Sequence, residues 1–382
     1  MNIGLLYPGS AMHPSISMEF MDGLKSCLKL NRLQDTIKIT AETAGYGGVE
    51  KEVKEKVEKL LVVHEADILI LYLDQKILTF LKPVLEASGK LIIVVNPGAD
   101  YPQSWQTQGN IIHLNLNHAF LCWLTGELAV SEPGANAAVA TSFYDCGYLH
   151  GAMMVNNFTI HGGNIMFNYV NNQAYNNSFH IDELLAYLAG DKLTSKLLCI
   201  YDDIPAALFY SSLNNYADAD RLQLYVSPMM LEEKAFQIKS GELQFSAEGF
   251  MPWQSNINTT SNKLFCDTVL DQSGKAPSIF SLLGWEVALV LQKVIESEIN
   301  SRNGNGIVQY LLNSDLASPR GEIKLDKQTQ HYIAPVIKAQ LKGHYLQKNN
   351  VAIESIETSW SNFVSNPPQG VVSGWTNTYL CY

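Results

Sequence analysis

The sequence lacks the devices of several protein classes. It holds no apolar run of the roughly 18 residues that a membrane-crossing helix needs. It holds no long basic run, and its net charge is −11. Nucleic-acid phosphates are gripped by clustered Lys and Arg, so a nucleic-acid partner is not expected. The same acidity favours cationic or neutral ligands, and it also serves plain solubility. The six cysteines (27, 122, 146, 199, 266 and 381) form no C-x-x-C pair, so no zinc site is expected. Cys199 sits in the apolar run Leu197–Ile200 and reads as a small core residue. Pairing between distant cysteines stays open.

Catalytic signatures are missing too. There is no H-E-x-x-H among the nine histidines and no G-x-S-x-G elbow beside His161-Gly162-Gly163. Gly45-Tyr46-Gly47-Gly48 has neither the spacing nor the Lys of a phosphate loop. Neither a cofactor nor a metal is expected, and the chain does not read as an enzyme.

What is present is a globular composition, 47% hydrophobic and 16% charged over 382 residues. That length exceeds one ordinary core and points to two or three domains. Met1 leads directly into the apolar run Ile3–Tyr7, a first strand. No leader is therefore read, which leaves the cytoplasm open, or the periplasm after removal of a signal segment.

Strand and helix signals then alternate. Ile16, Phe20, Leu24 and Leu28 repeat every four residues, and Thr36–Thr40 alternates at the strand period. Val49, Val53, Val57, Leu60 and Leu61 make the apolar face of a charged helix. Ile68–Leu73 and Leu91–Val95 are continuously apolar, as strands of a parallel sheet covered on both faces must be. The rhythm restarts at Ala137–Ala140, with helices over Tyr148–Ile160 and Ile181–Ala189. Strands at Ile165–Phe167, Leu197–Tyr201 and Leu222–Val226 complete the second round. An apolar helix spans Ile279–Ile295, and the short segments after it must complete the two units already begun. The fold class is α/β, with two similar doubly wound lobes and largely parallel central sheets.

In such sheets ligands sit beyond the carboxyl ends of the strands. Reading outward from those ends gives Tyr7, Ser10, Asp74, Gln75, Asp100 and Tyr101 in the first lobe. In the second it gives Phe143, Tyr144, Asp145, Asp202, Asp203 and Met229. Rings supply apolar walls and carboxylates fix orientation. Asp202-Asp203-Ile204-Pro205 is equally a helix start, with its carboxylates as caps.

Three local patterns resemble the branched-chain-amino-acid-binding group of periplasmic type I solute-binding proteins. They are Asn96-Pro97-Gly98-Ala99-Asp100 after a buried strand, Leu282-Leu283-Gly284-Trp285-Glu286-Val287-Ala288, and the turn Ser318-Pro319-Arg320-Gly321 running into Glu322–Asp326. Their order and spacing match that family over nearly the whole chain. The resemblance implies three hinge crossovers, near Leu114–Asn117, Ala247–Phe250 and Ile333–Val336. It implies a first lobe of residues 1–116 plus 250–334 and a second of 117–249 plus 335–382. It implies a small-molecule ligand between the lobes, held without turnover, and a membrane permease of an ABC importer as partner. A ligand-sensing regulator of the same fold is the alternative, and an α/β enzyme using cleft carboxylates a further one. The compartment implied is the periplasm. The family's Ser and Thr donors are replaced here by Asp100 and Asp74-Gln75, and its acidic partner for a ligand ammonium by Met229. The ligand class therefore stays open among amino acids, amides, amines and sugar-like molecules.

Overall fold

The computed structural model describes residues 1–366 except 12, 46–48, 99–100, 102–108, 132–133, 143–146, 172–178, 237–241, 301 and 344. The first lobe begins with β1 (Asn2–Tyr7), α1 (Ile16–Leu30), β2 (Lys38–Thr43), α2 (Glu50–Glu58), β3 (Ile68–Tyr72), α3 (Gln75–Ser88), β4 (Leu91–Asn96) and β5 (Ile111–Asn115). These five strands form one parallel sheet in the order β2-β1-β3-β4-β5. Every residue of β3, β4 and β5 is buried; β3 and Leu91–Val95 of β4 are accordingly apolar without alternation, while β5 buries His113 and Asn115 among its apolar residues. Period 2 still decides which way each side chain points. Ile3, Leu5, Ile68 and Ile70 join one core, while Leu6, Leu69 and Leu71 join another with Val53, Val57 and Leu60.

The chain then crosses to a second sheet through α4 (His118–Ser131). There it lays down β6 (Asn136–Ser142), α5 (Gly147–Ile160), β7 (Asn164–Asn171), α6 (Asp182–Gly190), β8 (Lys196–Ile200), α7 (Asp203–Asn214), β9 (Gln223–Val226), α8 (Glu233–Phe236) and β10 (Leu243–Met251). It returns to the first lobe for α9 (Thr260–Ser273), α10 (Ile279–Glu296), α11 (Gly304–Leu311) and a small sheet of β11 (Leu316–Ser318), β12 (Gly321–Leu325) and β13 (Tyr332–Ile333). A last crossing adds β14 (Val336–Gly343), β15 (Tyr345–Val351) and α12 (Ile353–Ser365). The second sheet runs β15-β14-β10-β9-β8-β6-β7; β14 pairs antiparallel with both β10 and β15, and the other ladders are parallel.

Some elements differ from the expectation. Val49 is 53% exposed because it stands before the first turn of α2 instead of on its buried stripe. The helix then widens into a π turn at Lys59–Val63, which turns Val62 and Val63 to solvent. The helix α4 gave no amphipathic signal, because it is buried on nearly all sides between α5, β10 and α12.

One contact orients much of the first lobe. Helices α1 and α10 cross at two glycines, and each occupies the space the other helix would lose to a side chain. A Cβ at Gly23 would stand 1.8 Å from the Ser281 carbonyl oxygen, and one at Gly284 2.0 Å from that of Phe20. The glycine of the Gly-Trp-Glu pattern is thus a packing residue.

Candidate functional site

The turn after β1 and the turn after β8 come from opposite lobes, and parallel strands aim both into the same gap. His13 leaves the first turn with its backbone N–H bonded to Ser10 Oγ at 3.0 Å. Its Nε2 meets Asp202 Oδ2 across the gap at 2.8 Å, and both residues are buried. Asp202 precedes α7 in the N-cap position, yet its side chain makes no cap hydrogen bond. A cap bond would satisfy the first turn of α7. The carboxylate instead joins the two lobes.

Beside this pair lies a cavity of about 180 Å³. His13, Asp202, Glu232, Glu233, Met251, Trp253, Gln254 and the stretch Pro277–Phe280 line it. Each element contributes for a local reason. Trp253 follows β10 at the second crossover and is held by its Nε1–H, which donates to Asn262 Oδ1 at 2.7 Å. The ring of Phe280 meets the His13 ring edge-on, with centroids 5.6 Å apart. Ser278 caps α10 through a reciprocal box with Ser281.

The twelve residues expected at the strand ends divide as follows. Asp202 lines the cavity, and Ser10 supports His13. Tyr7 is partly buried, and its carbonyl accepts from Ala44 N–H. Asp74 is partly buried before α3, where its carbonyl accepts from Ile77 N–H. Gln75 and Asp203 are the first residues of α3 and α7. The hydroxyl of Tyr101 donates to the Phe363 and Val364 carbonyls of α12, and its ring packs edge-on against Phe363. Tyr101 thus ties the first lobe to the last helix, and burial pushes its phenol up to about 12. Met229 is buried in the core that contains α4. Asp100, Phe143, Tyr144 and Asp145 lie outside the described residues. His13, Phe280, Glu232, Glu233 and Gln254 were missed. Their one sequence signal was proximity to the turn after β1 and to the start of the apolar helix at Ile279.

The described residues of the three family-like patterns meet at the crossovers. Gly98 has φ +89° and lies against the backbone of Asn117, where a Cβ would stand 2.5 Å from the Asn117 nitrogen. Ala119 N–H donates to the Gly98 carbonyl, so the turn seats the start of α4. Glu286, fully buried, takes both Nε–H and an Nη2–H of Arg320, at 2.8 and 2.9 Å. Ser318 Oγ also donates to Glu286, and Arg320 Nη2 donates to the Asn115 carbonyl at 3.0 Å. The second and third patterns are therefore two halves of one buried ion pair, clamped on the first crossover. Asn117 Nδ2 bonds the Tyr332 carbonyl at 3.0 Å and joins that crossover to the last.

Buried imidazoles line the same region. His113 of β5 and His331 of the last crossover stack with parallel rings 4.0 Å apart. Burial, and then the neighbouring His331, holds His113 well below the usual histidine range. Burial, then His150 and Arg320, does the same to His118. Both therefore stay neutral in the fold, while the unfolded chain binds protons near pH 6.5. The unfolded state then carries more protons as pH falls below 6.5, so stability must drop. Each such histidine contributes up to about 1.4 kcal/mol per pH unit. We expect the melting temperature to fall from pH 7.5 to 5.5 and the slope to shrink in His118→Gln. A slope equal to wild type in that variant contradicts the assignment.

No protein-family model and no curated protein matches this sequence. Solved structures do resemble the chain. A substrate-binding protein of an ABC transporter from Sphaerobacter thermophilus superposes with a TM-score of 0.75 at 12% identity, over 92% of this chain and 97% of that one. The chain has the fold of the type I solute-binding proteins. A solute-binding protein from R. palustris in complex with benzoate gives 0.69 at 18% identity, over 92% and 97%. The branched-chain amino acid transporter substrate-binding protein of Streptococcus pneumoniae in complex with isoleucine gives 0.67 at 11%, over 92% and 99%. At such identities the shared property is the architecture of two α/β lobes, and the cleft residues of this chain carry their own chemistry.

Proposed function

We propose that this protein binds a small molecule between its lobes, without turning it over, as the substrate-binding component of an ABC importer. The observation that carries this reading is the cavity beside His13 and Asp202, with walls drawn from both lobes. A guest there touches both halves at once and so favours the closed arrangement over the open one. A covalent mechanism would need a nucleophile poised against a base. Of the serines in the lining, Ser278 is engaged in capping α10. The fold shared with the solute-binding proteins adds support, and that fold class implies a periplasmic setting for the importer role.

The test is to incubate the purified chain with amino acids, sugars, aromatic acids and amines. We expect one guest per chain by native mass spectrometry, recovered unaltered. At a hundred times its dissociation constant the guest should stabilise the fold by about 2.7 kcal/mol. Conversion of any bound compound contradicts the non-catalytic reading. A bound guest whose affinity is unchanged by Trp253→Ala contradicts the location.

A further inference from the structure

We propose that His13 and Asp202 form a latch: the bond between them holds the lobes closed over the cavity and is given up when they part. The inference rests on the reading above that the lobes open and close about their crossovers, and it holds with or without a guest. His13 Nε2–H donates to Asp202 Oδ2 at 2.8 Å across the gap. Hydrogen bonds fade beyond about 3.2 Å, so parting the two rims by about 1 Å breaks this one. The contact therefore belongs to the closed arrangement, and whatever favours it favours closure. Water is kept from both ends, with His13 8% and Asp202 3% exposed. In such surroundings a carboxylate is tolerated with its partner and strongly disfavoured without it, so closure depends on the pair.

Each end is fixed by its own lobe, so little freedom is lost when the two meet. His13 N–H donates to Ser10 Oγ at 3.0 Å, and the His13 carbonyl accepts at 3.0 Å from the N–H of Ile16, the first residue of α1. The Phe280 ring meets the imidazole edge-on. On the opposite rim the Asp202 carbonyl accepts from Ala206 N–H at 3.2 Å and so starts α7.

The local sequence also releases Asp202 from its competing role. An Asp ahead of a helix ordinarily turns its side chain onto the N–H of the second or third helical residue. The third residue of α7 is Pro205, which has no N–H. Only Ile204 is left as a cap donor, and the Asp202 side chain makes no cap hydrogen bond. The claim of α7 on this carboxylate is thus weak, and the carboxylate serves the other lobe. A guest then need not supply the whole of the closing free energy. Its apparent affinity scales with the closed fraction that the latch maintains.

The experiment uses the whole chain without a guest. His13→Phe keeps a ring against Phe280 and removes the donor. Asp202→Ser keeps a cap acceptor for α7 and removes the carboxylate. Small-angle X-ray scattering should give both variants a larger radius of gyration than wild type. Amide exchange should quicken in the lobe opposite each substitution, at the start of α7 in His13→Phe and at the start of α1 in Asp202→Ser. The expected factor is about tenfold, the lower limit for losing a hydrogen bond to a charged group. The double variant should match the single ones, since each already removes the whole contact. Unchanged scattering, with exchange that quickens only beside the substitution, would make the pair a local tie and overturn the latch. Variants that melt earlier with neither readout altered, or double-variant effects that add, would overturn it too. None of these outcomes bears on guest binding, which the mass-spectrometric test decides by itself.

Discussion

Replacing Glu286 by alanine is expected to destabilise the protein by about 3–5 kcal/mol, because it leaves the Arg320 guanidinium buried without its counter-charge. Arg320 is 5% exposed and Glu286 fully buried, so water cannot substitute for the lost carboxylate. The effect should spread, since Arg320 also holds the Asn115 carbonyl at the first crossover and Ser318 leans on the same carboxylate. Arg320→Ala should behave similarly for the mirrored reason. Replacing both by apolar residues of like volume removes two desolvated charges together, and such exchanges are often neutral or stabilising. We therefore expect a Glu286→Met/Arg320→Met chain to be more stable than either alanine variant. A urea-denaturation cycle measures all of this. Additive single effects in that cycle would refute the pairing.

The second large effect concerns the α1–α10 crossing. Gly284→Ala places a methyl group 2.0 Å from the Phe20 carbonyl oxygen, and Gly23→Ala one 1.8 Å from that of Ser281. The obstacle in each case is backbone, so no side chain can rotate away and the two helices must separate. We expect a loss of about 3 kcal/mol for either variant, at the upper end of overpacking. Gly190 is the control. It closes α6, and a methyl group there would meet no atom within 4 Å, so Gly190→Ala should be neutral or stabilising by about 0.4–1 kcal/mol. A Gly284→Ala chain that melts like wild type would show that the crossing is looser than its geometry indicates.

The legible parts of the fold were those whose physics is local. Ile16, Phe20, Leu24 and Leu28 announced α1 because a helix with one buried face must repeat its apolar residues near every fourth position. The full burial of β3 and β4 was equally readable, since strands covered on both faces have no reason to alternate. Helix α4 escaped because burial on all sides erases the stripe. The candidate site was harder. The rule that ligand residues follow strand ends put Asp202 forward, and in the structure it lines the cavity. Helix capping was the competing role for that residue, and its side chain makes no cap hydrogen bond but meets His13. His13 could not be found that way. Nothing in Met12-His13-Pro14 distinguishes a ring that meets a carboxylate 189 positions away from one in solvent.

Taken alone, the amino-acid sequence determined the α/β class, the doubling of the architecture and the strand ends from which a cleft is built, because periodicity and turn chemistry act between near neighbours. Only the tertiary structure decided which distant groups meet: His13 with Asp202, Glu286 with Arg320, Gly23 with the backbone beneath Gly284. Those contacts depend on how two lobes and their crossovers are placed in space. Pairing across such separations leaves no periodic trace along a single chain.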